Sequence, residues 1–159
     1  MLDDDTIARY ARQIVVPGIG AAGQERLLAA VVLVVGHERG AAQAALYLAA
    51  AGLRVIAAPD EGAFDLVVVA NAPGLEPDVR SAVLAADRPT CWYRLAPEGF
   101  TSGVHPAAAL PLSRNLRTEA ADDSVADALH DAAACDVAAL ACAIVVGLPH
   151  RQTLADFTD

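Results

Sequence analysis

Apolar positions near the start of the chain recur with a helical period. Ile7, Tyr10 and Ile14 follow Thr6, a capping residue type, and predict a helix over 6–16 that Pro17-Gly18 breaks. A second short helix is predicted from about Ala21 to Ala29. The pattern then changes kind. Val31-Val32-Leu33-Val34-Val35 has no polar position at all, as expected of a strand covered on both faces within a parallel sheet, and it stops at Gly36.

Helix and strand patterns alternate from there. Gly40 to Ala51 is Ala-rich around Leu46-Tyr47-Leu48 and predicts a helix with Gly52 as its C-cap. Val55–Ala58 and Phe64–Ala70 read as the second and third strands, Pro77–Ala86 as a helix with Pro in its first turn, and Thr90–Arg94 as the fourth strand. The stretch 97–112 is rich in Gly and Pro and reads as a loop with at most one short strand. Asp122-Asp123-Ser124 predicts the capped start of a long helix to about Val146, ended by Gly147 and Pro149. The expected fold is α/β, a Rossmann-like, mostly parallel, doubly wound sheet behind a short helical N-terminal arm. It forms a single domain, with the arm at 1–29, the core at 30–149 and a polar tail at 150–159.

Composition narrows the function classes. The 159 residues suffice for one core, and 55% hydrophobic with 19% charged residues is the balance of a folded chain. A net charge of −9 disfavours nucleic acid and anionic membrane surfaces as partners. All 11 basic residues are Arg, so no Lys can clamp a phosphate or form a Schiff base. The acidic opening Met1-Leu2-Asp3-Asp4-Asp5 is unlike a signal peptide. The apolar run Val137–Leu148 is shorter than the ~20 residues a bilayer requires, so a cytoplasmic location without a membrane span is expected. Cys91, Cys135 and Cys142 contain no C-x-x-C pair, which leaves no zinc ribbon and points to reduced thiols.

Several segments carry a resemblance. Arg9-Tyr10-Ala11-Arg12-Gln13, then Gly20 with Gly23-Gln24-Glu25-Arg26-Leu27, then Val32–Gly36, then Leu46–Gly52 follow one another in order and spacing. Together they resemble the R-Y-x-R-Q opening, the G-x-x-G-Q-x-x-L segment, the strand entering the nucleotide loop and the helix leaving it in ThiF, MoeB and HesA proteins, the ubiquitin-activating-type adenylyltransferases. The resemblance implies an ATP site at the first strand–helix turn, with Gly36 at its start and Asp60 at the end of the second strand on the ribose. It also implies a dimer in which Arg12 reaches the partner's nucleotide.

The departures are chemical. The family loop G-x-G-G-L-G reads here Gly36-His37-Glu38-Arg39-Gly40-Ala41, with a carboxylate where a Gly would admit phosphate and Arg39 beside it as a partial offset. The crossover that carries the family's phosphate-binding Arg and Lys is missing between Asp60 and the third strand. The turn whose Asp helps hold magnesium is Asn71-Ala72-Pro73. Adenylation relies on metal and cations to neutralise the leaving pyrophosphate. The expectation is therefore a non-catalytic relative with no cofactor of its own, ATP or AMP binding being the alternative. It would act as a homodimer, or as a heterodimer with an active homologue, in activating a ubiquitin-like or sulfur-carrier protein or a peptide. A small nucleotide-binding enzyme and a protein-binding scaffold are the other readings.

Each singled-out residue has a plainer reading. Arg9 and Arg12 can pair with Asp3–Asp5, and Asp60 can be a turn residue beside Glu61-Gly62. His37 is a general-base candidate or an exposed loop residue. His130 and His150 are expected to face solvent. Cys135 and Cys142, seven apart on one helix, are expected to be small core residues, and Cys91 is the one thiol worth testing as a nucleophile.

Overall fold

The computed structural model describes residues 1–36, 38–71, 76–96, 99–106 and 123–149. His37, the Asp122 capping position and the tail from His150 lie outside them. Helices α1 (Asp4–Ile14) and α2 (Gly20–Ala29) form the arm. The core then runs β1 (Val31–Gly36), α3 (Glu38–Ala51), β2 (Arg54–Ile56), a 3-10 turn (Pro59–Glu61), β3 (Leu66–Ala70), α4 (Pro77–Ala86), β4 (Pro89–Ala96), β5 (Gly99–Pro106) and α5 (Asp123–Val146).

The five strands form one sheet in the order β2-β1-β3-β4-β5. The first four strands are parallel and β5 is antiparallel to β4, so the α/β, mostly parallel architecture holds. Alternate strand residues feed two cores. Val32, Val34, Leu66, Val68, Cys91 and Tyr93 pack with Ala44 and Leu48 of α3 and with Ala134, Val137 and Ala141 of α5. Leu33, Val35, Val67, Val69 and Trp92 pack on the opposite face with Val79 and Val83 of α4. A strand covered on both sides needs apolar residues at every position, which is why β1 and β3 carry no polar side chain.

The structure corrects five local expectations. The cap of α1 is Asp3, whose Oδ1 accepts from Thr6 N at 2.7 Å, and not Thr6 itself. The Gly- and Pro-rich stretch holds an eight-residue strand, β5, because it hairpins onto β4 from Pro89↔Pro106 to Ala96↔Gly99. The second strand ends at Ile56, since Pro59 opens a 3-10 turn. His130 is buried, and Cys135 is exposed whereas Cys142 packs against the core. An α-helix drifts by about 20° per heptad, so residues seven apart need not share an environment. By length and composition Asp127–Val146 of α5 is apolar enough to cross a membrane, but it presents Ala133, Ala134, Val137, Ala138 and Ala141 to the sheet as the central core helix.

Candidate functional site

Because β1 pairs with β2 on one side and β3 on the other, the chain reverses direction between β1 and β3. A ligand of such a sheet binds outside the carboxyl ends of the strands at that switch. Gly36, Ala70 and Tyr93 lie level with one another at this edge. Gly36 has φ +118°, and a Cβ built on it would overlap the Ala70 carbonyl, so no other residue fits. Helix α3 starts at Glu38 and aims its N-terminus at the edge.

Several described side chains near this edge are already engaged with one another. Arg39 pairs with Asp127 Oδ2 at 3.1 Å and Asp131 Oδ2 at 3.0 Å, fastening the first turn of α3 to α5. The hydrogen bond to Asp131 and the nearby charge of Asp127 raise its pKa further. A Cβ at Gly40 would overlap the Tyr93 hydroxyl, which lies beneath that turn and meets His130 Nδ1 at 2.9 Å. Burial, and secondarily Asp131, push the Tyr93 phenol well above its usual value, so it stays protonated.

Asn71 adopts φ +43°. Its Oδ1 accepts from Leu95 N at 3.1 Å and its backbone N donates to Tyr93 O at 3.1 Å. That amide oxygen therefore serves the β4 backbone. Asp60 sits exposed in the 3-10 turn after β2, on the side of the sheet where Gly36 lies.

A magnesium nucleotide would need room and positive charge at the first turn of α3, together with a carboxylate near Asn71. The turn offers the Glu38 carboxylate, an Arg already paired to two aspartates, a phenol beneath the backbone and an amide bound elsewhere. These residues do not fit a magnesium triphosphate.

Arg12 lies elsewhere. The neighbouring Gln13 donates Nε2 to Ala50 O, at the C-terminal end of α3, whereas the loop is at the N-terminal end. A helix of 14 residues is roughly 20 Å long. An extended Arg side chain spans roughly 6–7 Å, so Arg12 cannot reach its own chain's loop. Arg12 is exposed and makes no ion pair among the described residues. Arg9 lies over the Tyr10 ring, 5.5 Å from its centroid, and Asp3 is taken up by the α1 cap.

Cys91 is wholly buried and its thiol is pushed up to about 12 by desolvation and by the nearby Cys142, which disfavours a nucleophilic thiolate. A shallow cleft of about 340 Å³ opens at the other edge of the sheet, between Arg26, Asp65, Leu66 and Ile144. Both its charged groups serve the backbone: Arg26 donates to Val146 O at 2.8 Å and Asp65 accepts from Val31 N at 2.9 Å. The sequence pattern did not reveal the Tyr93–His130 pair. The available signal was that His130 precedes Ala133-Ala134 and Val137 at helical spacing, on the inward side of α5.

No family model matches the chain. Among curated proteins it is 43% identical over 70 residues to a probable adenylyltransferase/sulfurtransferase, MoeZ, of Mycobacterium tuberculosis. It is 48% identical over 70 residues to the adenylyltransferase and sulfurtransferase MOCS3 of Anopheles gambiae, and 44% identical over 70 residues to that of Sus scrofa. Each match covers 44% of this chain, but only 17% of the MoeZ sequence and 15% of each MOCS3 sequence. The likeness to the MoeB/ThiF-type adenylyltransferases read from the motifs is thus shown over part of the chain.

Proposed function

We propose that this chain is a non-catalytic protein of the ThiF/MoeB/HesA type. It works in the cytoplasm as the dimeric partner of itself or of an active homologue, in activating a ubiquitin-like or sulfur-carrier protein or a peptide. The observation that carries the reading is the engagement of the first turn of α3. Arg39 is tied to Asp127 and Asp131 where the family loop would open for phosphate, with the Tyr93 hydroxyl beneath the same turn.

The position of Arg12 supports a contribution in trans. It stands at the far end of α3 from its own loop, exposed, as a group that serves another subunit's nucleotide would. Removing such a group costs the pair its transition-state charge stabilisation and leaves the contact surface intact. The test is pyrophosphate exchange with Mg-ATP by the chain together with a catalytically complete homologue, alongside a native mass of the pair. Arg12→Ala is expected to abolish exchange and preserve assembly. Full exchange with the Arg12→Ala chain would overturn the reading.

A further inference from the structure

The last four carbonyls of a helix lack donors within that helix, and a helix end is stable only where they find others. In α3 each has one. Leu48 O and Ala49 O accept from Leu53 N and Gly52 N, both at 3.1 Å, as the chain turns out of the helix. Ala50 O accepts from Gln13 Nε2 at 3.4 Å and Ala51 O from Gln24 Nε2 at 3.0 Å. The second pair of donors comes from the arm, one from α1 and one from α2.

Gln24 is wholly buried, and its Oε1 has no partner among the described residues. A buried unpaired amide oxygen is a cost that a Leu or Met at this position would avoid. The contribution of Gln24 is therefore its donated hydrogen bond. Apolar burial holds α1 poorly, because Tyr10 is its one buried residue. Gln13 ties α1 itself to the end of α3, Gln24 ties α2, against which α1 packs, and the Tyr10 hydroxyl comes close to Gly52.

We infer that Gln13 and Gln24 are positioning residues that aim Arg12, the residue next to Gln13, by fastening the arm to the C-terminal end of α3. The inference rests on the reading that Arg12 acts in trans.

With no Lys in the chain, trypsin cuts only after Arg, so cleavage after Arg9 and Arg12 reports opening of α1. Gln24→Met keeps the volume and removes the donor. It is expected to accelerate cleavage after Arg9 and Arg12 at least tenfold and leave cleavage after Arg54 and Arg80 unchanged. Gln13→Ala, at a partly exposed site, is the second variant should Gln24→Met not fold.

In the exchange assay with the complete homologue, Gln24→Met is expected to lower the rate by at least tenfold. Combined with Arg12→Ala it is expected to be no worse than Arg12→Ala alone, since a residue acting through Arg12 has nothing left to lose. Unchanged cleavage of α1 in both variants overturns the inference. So does a loosened arm with full exchange activity while Arg12→Ala abolishes it, and in that case the trans reading stands. If Arg12→Ala itself leaves exchange intact, the trans reading falls and the positioning role falls with it.

Discussion

Replacing Gly40 by Ala sets two physical effects against each other. Gly40 lies in the first turn of α3 and is buried. Gly inside a helix is worse than Ala by roughly 0.5–1 kcal/mol, so propensity alone predicts that Gly40→Ala stabilises the fold. The structure predicts the opposite. The new methyl would overlap the Tyr93 hydroxyl and stand 3.0 Å from Tyr93 Cζ and 3.2 Å from His130 Nδ1. Overpacking a core costs roughly 1–3 kcal/mol. If the phenol moves aside, the buried 2.9 Å bond between Tyr93 and His130 breaks as well, at roughly 1–3 kcal/mol. After the propensity gain, a net loss of about 1–5 kcal/mol remains. Urea denaturation followed by far-ultraviolet dichroism should show the midpoint falling by about 0.5–2.5 M at an m-value of about 2 kcal/mol/M. Tyr93→Phe removes the overlapping atom, so Gly40→Ala/Tyr93→Phe should lose less than the two single variants added together. A midpoint that rises in Gly40→Ala, or strictly additive losses, would refute the packing of Tyr93 beneath α3.

Three further outcomes follow from the same geometry. Cys135, being exposed, should react fastest with a thiol reagent at neutral pH, half-buried Cys142 more slowly, and buried Cys91 only on unfolding. Fast titration of all three thiols in the native protein would contradict the burial of Cys91. Desolvation raises the Cys91 and Cys142 thiols from 9.0 to about 12 and about 11, so their contribution to stability is complete below pH 9 and lost as pH rises through those values. Stability measured by urea between pH 8 and pH 11 should fall, and a rise would count against the assignment. Asn71→Ala should destabilise by about 1–2 kcal/mol, through loss of the acceptor for Leu95 N and strain at φ +43°, while Asn71→Asp keeps the acceptor and should be nearly neutral in thermal melts.

Strand and helix placement were legible because the signals were local. A run with no polar position marks β1, and an Ala-rich segment ended by Gly52 marks α3. Glu38 and Asn71 stood out in the sequence as departures from a motif, but what Arg39 and Asn71 contact depends on distant partners. Arg39 pairs with residues about ninety positions away, and Asn71 serves a strand 24 residues on. His130 was misjudged because α5 is Ala-rich and apolar nearly all round, leaving no polar stripe to tell its inward from its outward side. β5 was hidden because its strand character comes from pairing with β4. Its own sequence, with Gly99, Gly103 and Pro106, has little strand propensity.

The proposed non-catalytic role requires that this chain's own switch point take no nucleotide. The most direct test is calorimetric titration of the purified protein with Mg-ATP. No saturable heat is expected, hence a Kd weaker than about 1 mM, or roughly −4 kcal/mol. Binding tighter than about 100 μM, roughly −5.5 kcal/mol, that is lost on Asp60→Ala would contradict it and make the loop a working nucleotide site.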